Sequence, residues 1–139
     1  MSEQYPYHFN EGVMAVPSGF VDETTHALRY GAGDDAILLT VQRRPRTATL
    51  EEFVHADLES TLDALGGGHV EDSQQLDGSF ELWRARLRHV VDRKVIFLCQ
   101  VFVTADDVVL VISSTGRAGR RDEIDRLATE AATSIRLRD

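Results

Sequence analysis

The stretch KVIFLCQVFVT at residues 94–104 is apolar on both faces of the strand that it predicts. Alternate residues of a β-strand point to opposite faces, so a strand with one wet face alternates apolar and polar residues. Here only Gln100 interrupts two apolar rows. One row contains Val95, Phe97, Cys99, Val101 and Val103, and the other contains Ile96, Leu98, Gln100 and Phe102. The pattern predicts a sheet with two apolar faces, and both faces need cover.

Further segments rich in β-branched and aromatic residues predict the rest of the sheet. Turn residues separate these segments, for example Asn10-Glu11-Gly12, Asp77-Gly78 and Asp92-Arg93. The predicted strands cover residues 5–9, 13–16, 26–30, 36–42, 70–76, 80–91, 94–104 and 108–114. The last four follow one another through tight turns, which predicts an antiparallel meander.

Two amphipathic helices are predicted between and after these strands. The first begins after Thr49, which has the spacing of a capping box with Glu52, and it ends at Gly66-Gly67-Gly68. The second covers about residues 121–137. The glycines follow a helix, whereas a phosphate-binding loop precedes one, so they do not indicate a nucleotide site.

This order of elements predicts one α+β domain over residues 1–139, with a largely antiparallel sheet of six to seven strands and two main helices. Two amphipathic helices cover roughly one face of such a sheet. The second face is then covered by the N-terminal segment, by the last helix or by a homodimer partner. Alternatively, it is an open apolar groove for an apolar ligand.

Composition excludes several classes of function. The net charge is −8 and the isoelectric point about 5.0, which argues against a nucleic-acid partner because phosphate binding needs a basic surface. Cys99 is the single cysteine, so no disulfide framework is expected. The N-terminal residues lack the pattern of a signal peptide, and no apolar run has the length of a membrane span. We therefore expect a cytoplasmic protein without stable membrane association.

Candidate catalytic chemistry is weak. The five histidines are not placed at metal-ligand spacing, no nucleophile elbow is present, and the paired aspartates at 34–35 and 106–107 fall in turns. We expect neither a cofactor nor a metal, and we do not expect an enzyme. Arg84, Arg86 and Arg88 form a basic row on one strand face. This row is either a solvated or salt-bridged face, or a site for an anionic ligand or partner.

Two polar residues beside apolar ones remain as candidates for binding. Gln100 is either satisfied inside the fold or near a sheet edge, or it hydrogen-bonds the backbone of a bound partner, since a buried amide without partners costs about 1–3 kcal/mol. Asp57 lies at the edge of the apolar stripe of the first helix. It is either a boundary residue that reaches water or part of the same binding surface.

Several short motifs resemble the DcrB-related family over nearly the whole chain. They are Tyr7 to Gly12 (YHFNEG), Val16 to Thr24 (VPSGFVDET), the helix around Leu50 to Leu62, Asp77-Gly78 before a long strand, Gln100-Val101-Phe102, and the closing Ser134-Ile135-Arg136. This resemblance implies the PsbP-like fold, an α/β/α sandwich around an antiparallel sheet.

Within that family, the chain most resembles the Eag chaperones of bacterial type VI secretion. The resemblance implies a homodimeric adaptor that shields the N-terminal transmembrane helices of a secreted toxin, for example of the Rhs type, and helps to load the toxin onto the spike protein. Such chaperones hold the helices in an apolar groove, with glutamines bonding to the bound helix. The alternative is a DcrB-like, non-catalytic binding module for a soluble protein or an apolar small ligand.

The resemblance also implies a set of client-binding residues. Gln100 matches one of the glutamines by its Gln-Val-Phe context, whereas Asp57 stands about where the other glutamine is expected. A carboxylate beside a membrane helix is costly unless it is paired. The expected client-binding residues are Gln100, Leu98, Ile96, Phe102, Leu65, Leu39 and Asp57.

Overall fold

A computed structural model describes residues 4–9, 11–17 and 24–136. Strands β1 (Gln4–Phe9) and β2 (Gly12–Pro17) form a separate hairpin. The main sheet contains β3 (Thr25–Tyr30), β4 (Ile37–Pro45), β5 (His69–Leu76), β6 (Leu82–Val91), β7 (Lys94–Ala105) and β8 (Val108–Arg117). The helices are α1 (Leu50–Ala64) and α2 (Arg121–Thr133).

The six strands of the main sheet lie in the order β3-β4-β8-β7-β6-β5, and all neighbours are antiparallel. Strands β5 to β8 form the predicted meander, and β3 and β4 extend the sheet beyond β8. The α+β class and the largely antiparallel sheet with two main helices are thus confirmed.

The two apolar rows of β7 are covered by different helices. Phe97 and Cys99 belong to a buried cluster with Ile124 of α2. Leu98 and Phe102, on the other row, belong to a second cluster with α1. Of the alternatives for the second face, cover by the last helix is therefore the one that the structure has. Helix α1 follows β4 and covers one face, whereas α2 follows the central strand β8 and covers the other, which gives an α/β/α sandwich.

Helix α1 begins and ends at the predicted signals. The Oγ1 of Thr49 accepts a hydrogen bond from the backbone N–H of Glu52 at 3.2 Å. At the other end, Gly66 has a φ of 74°, and the N–H of Gly67 donates to the carbonyl of Leu62 at 2.9 Å. This is the Schellman arrangement, in which a left-handed residue turns the chain back onto the last helical carbonyls.

Two boundaries differ from the predicted ones. Strand β8 continues to Arg117 through the polar residues at 113–116, because β4 and β7 pair with it on both sides and satisfy its backbone. Helix α2 ends at Thr133, and the hydroxyl of Ser134 donates to the carbonyl of Ala131 at 2.8 Å. Such local bonds from a serine side chain compete with further helical turns.

The cover of the α1 face can be tested with two leucines of the same cross-strand row. Leu98 is 8% exposed and Leu38 is 36% exposed, and both pair with Thr115 of β8. Leu98→Asp should lower the free energy of unfolding by at least about 3 kcal/mol, because it buries an unpaired carboxylate. Leu38→Asp should change it by less than about 1 kcal/mol. Urea unfolding measures both free energies. Equally small decreases for the two variants would contradict the burial of Leu98 under α1.

Candidate functional site

The face of the sheet that carries α1 is only partly covered. No residue of β3 or β4 belongs to the apolar cluster under α1. Their side chains on this face, and those of the adjoining end of β8, are exposed or half-exposed. These residues are Thr25, Ala27 and Arg29 of β3, Leu38, Thr40, Gln42 and Arg44 of β4, and Ser113 and Thr115 of β8. We call this surface the open shelf. It combines apolar side chains with hydroxyl and amide groups.

Gln100 lies at the inner margin of the open shelf. Its side chain is 7% exposed, and its Nε2 lies 3.3 Å from the Oγ of Ser113, the residue directly opposite on β8. Its Oε1 is buried and has no hydrogen-bond partner among the described residues. Thr40 continues the same row on β4. A buried amide group without a partner is costly, so Gln100 is an unsatisfied polar group beside the shelf. Its Oε1 is inaccessible in this conformation, and a bound segment would reach it only after the side chain turns toward the shelf.

Asp57 is paired within the chain. Its Oδ1 accepts a hydrogen bond from Nη1 of Arg44 at 2.9 Å, and the same guanidinium lies 5.5 Å from the centre of the Phe53 ring. Burial raises the pKa of Asp57, although the charge and hydrogen bond of Arg44 oppose that rise. The pair joins α1 to β4 at one end of the open shelf. A bound apolar segment would therefore meet an ion pair there rather than a lone carboxylate.

The structure brings most of the predicted client-binding residues to the α1 face, at different depths. Ile96 and Leu65 are half-buried, whereas Leu98 and Phe102 lie under α1 with exposures of 8% and 0%. Leu98 and Phe102 are inaccessible to a ligand because α1 packs on them. Their role in binding stays a prediction.

Leu39 requires a correction. It pairs with Ser114 and lies on the opposite face, in the apolar cluster that α2 covers. Strand alternation places its neighbour Leu38 on the open shelf instead. The sequence pattern AILLTV gave no signal for the choice, because both neighbours are leucine and both rows are apolar.

Sequence reasoning missed the hydroxyl groups of the shelf, on Thr40, Ser113 and Thr115. The predicted β8 stopped at residue 114, so Thr115 fell in a loop. A correct prediction of the pairing register between β4 and β8 would have identified these residues as part of the surface. They stand opposite one another only because Thr40 pairs with Ser113, and Leu38 with Thr115.

The basic row lies on the α2 face and is salt-bridged. Arg86 donates from Nε and Nη2 to the two carboxylate oxygens of Asp125 at 2.7 and 2.9 Å, and from Nη1 to Asp72 at 2.9 Å. The Nε of Arg88 lies 3.4 Å from Glu71. The hydrogen bond with Asp125 raises the pKa of Arg86 despite its partial burial. Of the two interpretations of the row, the salt-bridged face fits this geometry.

Cys99 lies beneath this network. Its Sγ is 3.4 Å from Oδ1 of Asp125. Burial, followed by the charge of Asp125, raises the pKa of the thiol to about 12. A thiol with such a pKa is neutral at physiological pH and is a poor nucleophile or metal ligand. Within the described ranges, no three or more His, Cys, Asp or Glu side chains are grouped to hold a metal ion.

Comparison with known proteins shows which fold the chain has. No protein-family model matches the chain, and no curated protein matches it by sequence. Among solved structures, the chain is similar to PA94 of Pseudomonas aeruginosa, a protein of unknown function suggested to be a regulator. The TM-score is 0.75 at 14% identity, over 98% of each chain.

Two further structures share the architecture. CyanoP of Synechocystis sp. PCC 6803, a cyanobacterial PsbP, matches with a TM-score of 0.60 at 12% identity, over 99% of this chain and 94% of that one. LpqN of Mycobacterium tuberculosis, involved in cell envelope biogenesis, matches with a TM-score of 0.50 at 11% identity, over 96% and 88%. These likenesses show the PsbP-like fold and nothing finer. In the part of the chain that the structure describes, no helix is long and apolar enough to cross a membrane.

The raised thiol pKa predicts that Cys99 is unreactive in the folded protein. At about pH 8, an aromatic disulfide reagent should label the native protein far more slowly than the urea-unfolded protein, because only the thiolate attacks. The absorbance of the released thiolate measures both rates. Equal rates would show that Cys99 is accessible and ionised.

The raised pKa of Asp57 predicts a pH dependence of stability. Between its ordinary pKa of 3.8 and its higher folded value, the folded chain binds more protons than the unfolded chain, so this group makes stability fall as the pH rises. Asp57→Asn removes that contribution. From about pH 4 to pH 7, the unfolding free energy of the wild type minus that of Asp57→Asn should therefore decrease.

Asp63→Asn, an exposed position of the same helix, is the matched control for Asp57→Asn. Urea unfolding at each pH gives the three free energies. A difference between wild type and Asp57→Asn that increases with pH would mean that Arg44 outweighs burial.

Proposed function

We propose that this protein is a cytoplasmic adaptor chaperone that binds an apolar helical segment on its open shelf. The proposed client is the N-terminal transmembrane region of a type VI secretion effector, for example of the Rhs type, which the chaperone shields and helps to load onto the spike protein. The observation that carries the proposal is the Gln100 amide, buried at the margin of the shelf with one end free of hydrogen bonds.

The need for such a surface follows from the client. A transmembrane segment in water exposes about 20 apolar residues. Covering apolar area is worth about 25 cal/mol per Å², so even partial cover of such a segment stabilises it substantially. The exposed side chain of Leu38, the half-buried Ile96 and the methyl group of Thr40 provide apolar area beside the wall formed by α1.

The polar groups of the shelf suit a helix with small side chains. Transmembrane helices pack closely through small residues, which leave backbone carbonyls and hydroxyl groups accessible, and polar side chains of the partner hydrogen-bond there. The row of Gln100, Ser113 and Thr40 offers such groups across three adjacent strands. An amide can donate or accept, so Gln100 can bond either kind of group.

The Arg44–Asp57 pair answers the difficulty raised by a carboxylate beside a membrane helix. A carboxylate that is already paired needs no partner from the client. The free-energy cost of its desolvation is already part of the folding of the free protein. The client would then be held by one glutamine rather than by two, which departs from the pattern that the Eag resemblance implies.

A second candidate is a DcrB-like, non-catalytic module for an apolar small ligand. A groove of about 190 Å³ on the opposite face favours it. The groove is mainly apolar and is lined by Leu28, Tyr30, Ile37, Leu39 and Leu127, together with the charged residues Arg29 and Glu123. In this alternative Leu39 contacts a ligand, and Gln100 is not involved.

Co-expression tests the leading proposal. The N-terminal segment of an effector encoded beside this gene is produced with a solubility tag, alone and together with the chaperone. The segment should be recovered in the soluble fraction, bound to this protein, only when both are present. If it aggregates equally in both cases and does not co-purify, the chaperone proposal is wrong.

Gln100→Leu should weaken binding of that segment about 5- to 30-fold, since one hydrogen bond to a buried amide is worth about 1–2 kcal/mol. The variant should be at least as stable as the wild type, because it removes an unsatisfied buried group. Gln74→Leu, on an exposed position of β5, is the control. Titration calorimetry in a mild detergent gives the affinities. An unchanged affinity with Gln100→Leu would exclude the amide from the site.

A further inference from the structure

An apolar groove lies between β3 and α2, on the face of the sheet opposite the open shelf. Leu28 pairs with Leu39 and Tyr30 with Ile37 across β3 and β4, and Leu127 of α2 lines the other side. Leu28 and Tyr30 are 61% and 65% exposed, and the groove has a volume of about 190 Å³. Exposed apolar side chains that lie together are typical of a contact site, so the groove is a candidate for a ligand site separate from the shelf.

Arg120 determines the charge at the Tyr30 end of the groove. Its guanidinium lies 5.7 Å from the centre of the Tyr30 ring, and its Nη1 donates to the backbone carbonyl of Asp35 at 2.6 Å. Its Nε and Nη2 donate to Oε2 of Glu123 at 3.1 and 2.7 Å. Arg120 therefore balances the charge of Glu123, which lines the groove, and each of its three nitrogens is already engaged.

Of the two charged residues that line the groove, Arg29 is the one without a partner. It is exposed, and no carboxylate among the described residues pairs with it. Strand alternation directs its Cβ toward the open shelf, but β3 is an edge strand of the sheet, so the long side chain can reach round the edge to the groove. The lining therefore has one positive charge in excess, although the whole chain carries a net charge of −8.

We propose that this groove binds a small amphiphile with a single apolar chain and an anionic head group such as a carboxylate. The chain lies against Leu28, Leu39 and Leu127, and the head group accepts hydrogen bonds from the guanidinium of Arg29. Arginine and carboxylate form short, charge-assisted and often bidentate hydrogen bonds, so an anionic head group fits this unpaired guanidinium. Such a ligand rests on the second candidate function, a module for a small apolar ligand, and does not depend on the chaperone proposal.

The volume of the groove limits the length of the chain. An apolar cavity of about 150 Å³ in another protein holds benzene, which has six carbon atoms. A groove of about 190 Å³ therefore accommodates about seven or eight carbon atoms. A single chain of medium length fits this space, whereas a lipid with two long chains does not. We expect the affinity to rise with chain length up to about eight carbons and then to level off.

A cationic head group fits the groove less well. Its available partner is Glu123, whose Oε2 already accepts two hydrogen bonds from Arg120, and Arg29 would repel it. The net charge of −8 nevertheless favours cations over anions at nonspecific sites on the surface. A preference for an anionic ligand would therefore come from the groove itself, so the sign of the head group is a sharp test.

Three ligands with the same apolar chain test the head group: octanoate, octanol and octylammonium. Each is titrated at about pH 7 into the full chain, below the concentration at which it forms micelles, and the amide shifts in NMR spectra report binding. Octanoate should bind at least about fivefold more tightly than octylammonium, with the largest shifts at Leu28, Tyr30 and Leu127. Equal affinities, a preference for octylammonium, or largest shifts outside the groove would overturn the proposal.

Arg29→Gln tests the partner of the head group. It should weaken octanoate binding about 5- to 10-fold and leave the affinity for octanol unchanged, because only the charged head group needs the guanidinium. Arg93→Asn is the control, since it removes an exposed charge in the turn between β6 and β7, and asparagine tolerates the left-handed backbone there. An octanoate affinity that Arg29→Gln leaves unchanged would overturn the proposal.

Leu28→Ser tests the apolar wall of the groove. It should weaken the binding of all three ligands several-fold, because it removes apolar area that the chain covers. Leu38→Ser, an exposed leucine on the opposite face of the sheet, is the matched control and should leave all three affinities unchanged. If octanol binds in the groove and octanoate is not favoured, the anionic head group is wrong and the small-ligand function remains. If none of the three binds saturably, both are wrong.

Discussion

The structure depends on one constraint, which is that the central strand β7 is apolar on both faces. From Phe97 to Ala105 every residue is buried. A strand of this kind is stable only between two layers, because either face would otherwise expose a continuous apolar row. Helix α1 covers one face of β7 and helix α2 covers the other. Among the described residues, no third α-helix remains to cover the part of the α1 face near β3.

The two layers satisfy this constraint unequally. On the α2 face, a network of ion pairs around Arg86 joins β5, β6 and α2 beside the apolar cluster. Asp125 illustrates the effect of the network: burial opposes its ionisation, but the bonds from Arg86 and Cys99 and the nearby guanidinium charges outweigh burial and lower its pKa. On the α1 face, Arg44–Asp57 is the ion pair that joins the helix to β4. The α1 face is only partly covered, and the exposed and half-exposed side chains of the open shelf lie there.

The sequence was sufficient for the fold because its local signals agree with one another. The Thr49 cap, the three glycines after α1 and the Asp92-Arg93 turn each specify a local conformation that does not depend on distant contacts. The doubly apolar β7 then requires two covering layers. The sequence could not assign each helix to a face, since both helices are amphipathic and either could pack on either side.

The candidate site was less predictable than the fold, for a reason that Leu38 and Leu39 make plain. Adjacent identical residues lie on opposite faces, so only the pairing register decides which of them reaches the open shelf. The same holds for Thr40 and Ser113, whose proximity depends on the pairing of β4 with β8. Gln100 could be chosen as a candidate from sequence because a single amide in an apolar row needs an explanation in any register.

That amide also connects the fold to the proposed function. A glutamine in the α1 layer is a cost to the free chain, since one end of it has no partner among the described residues. Leucine would fill a similar volume without that cost, so the position is poorly explained by stability alone. The cost is explained if a bound segment supplies the missing hydrogen bond. Gln100 lies where such a segment could do so, at the boundary between the covered and uncovered parts of the face, and its neighbour Ser113 lies on the open shelf.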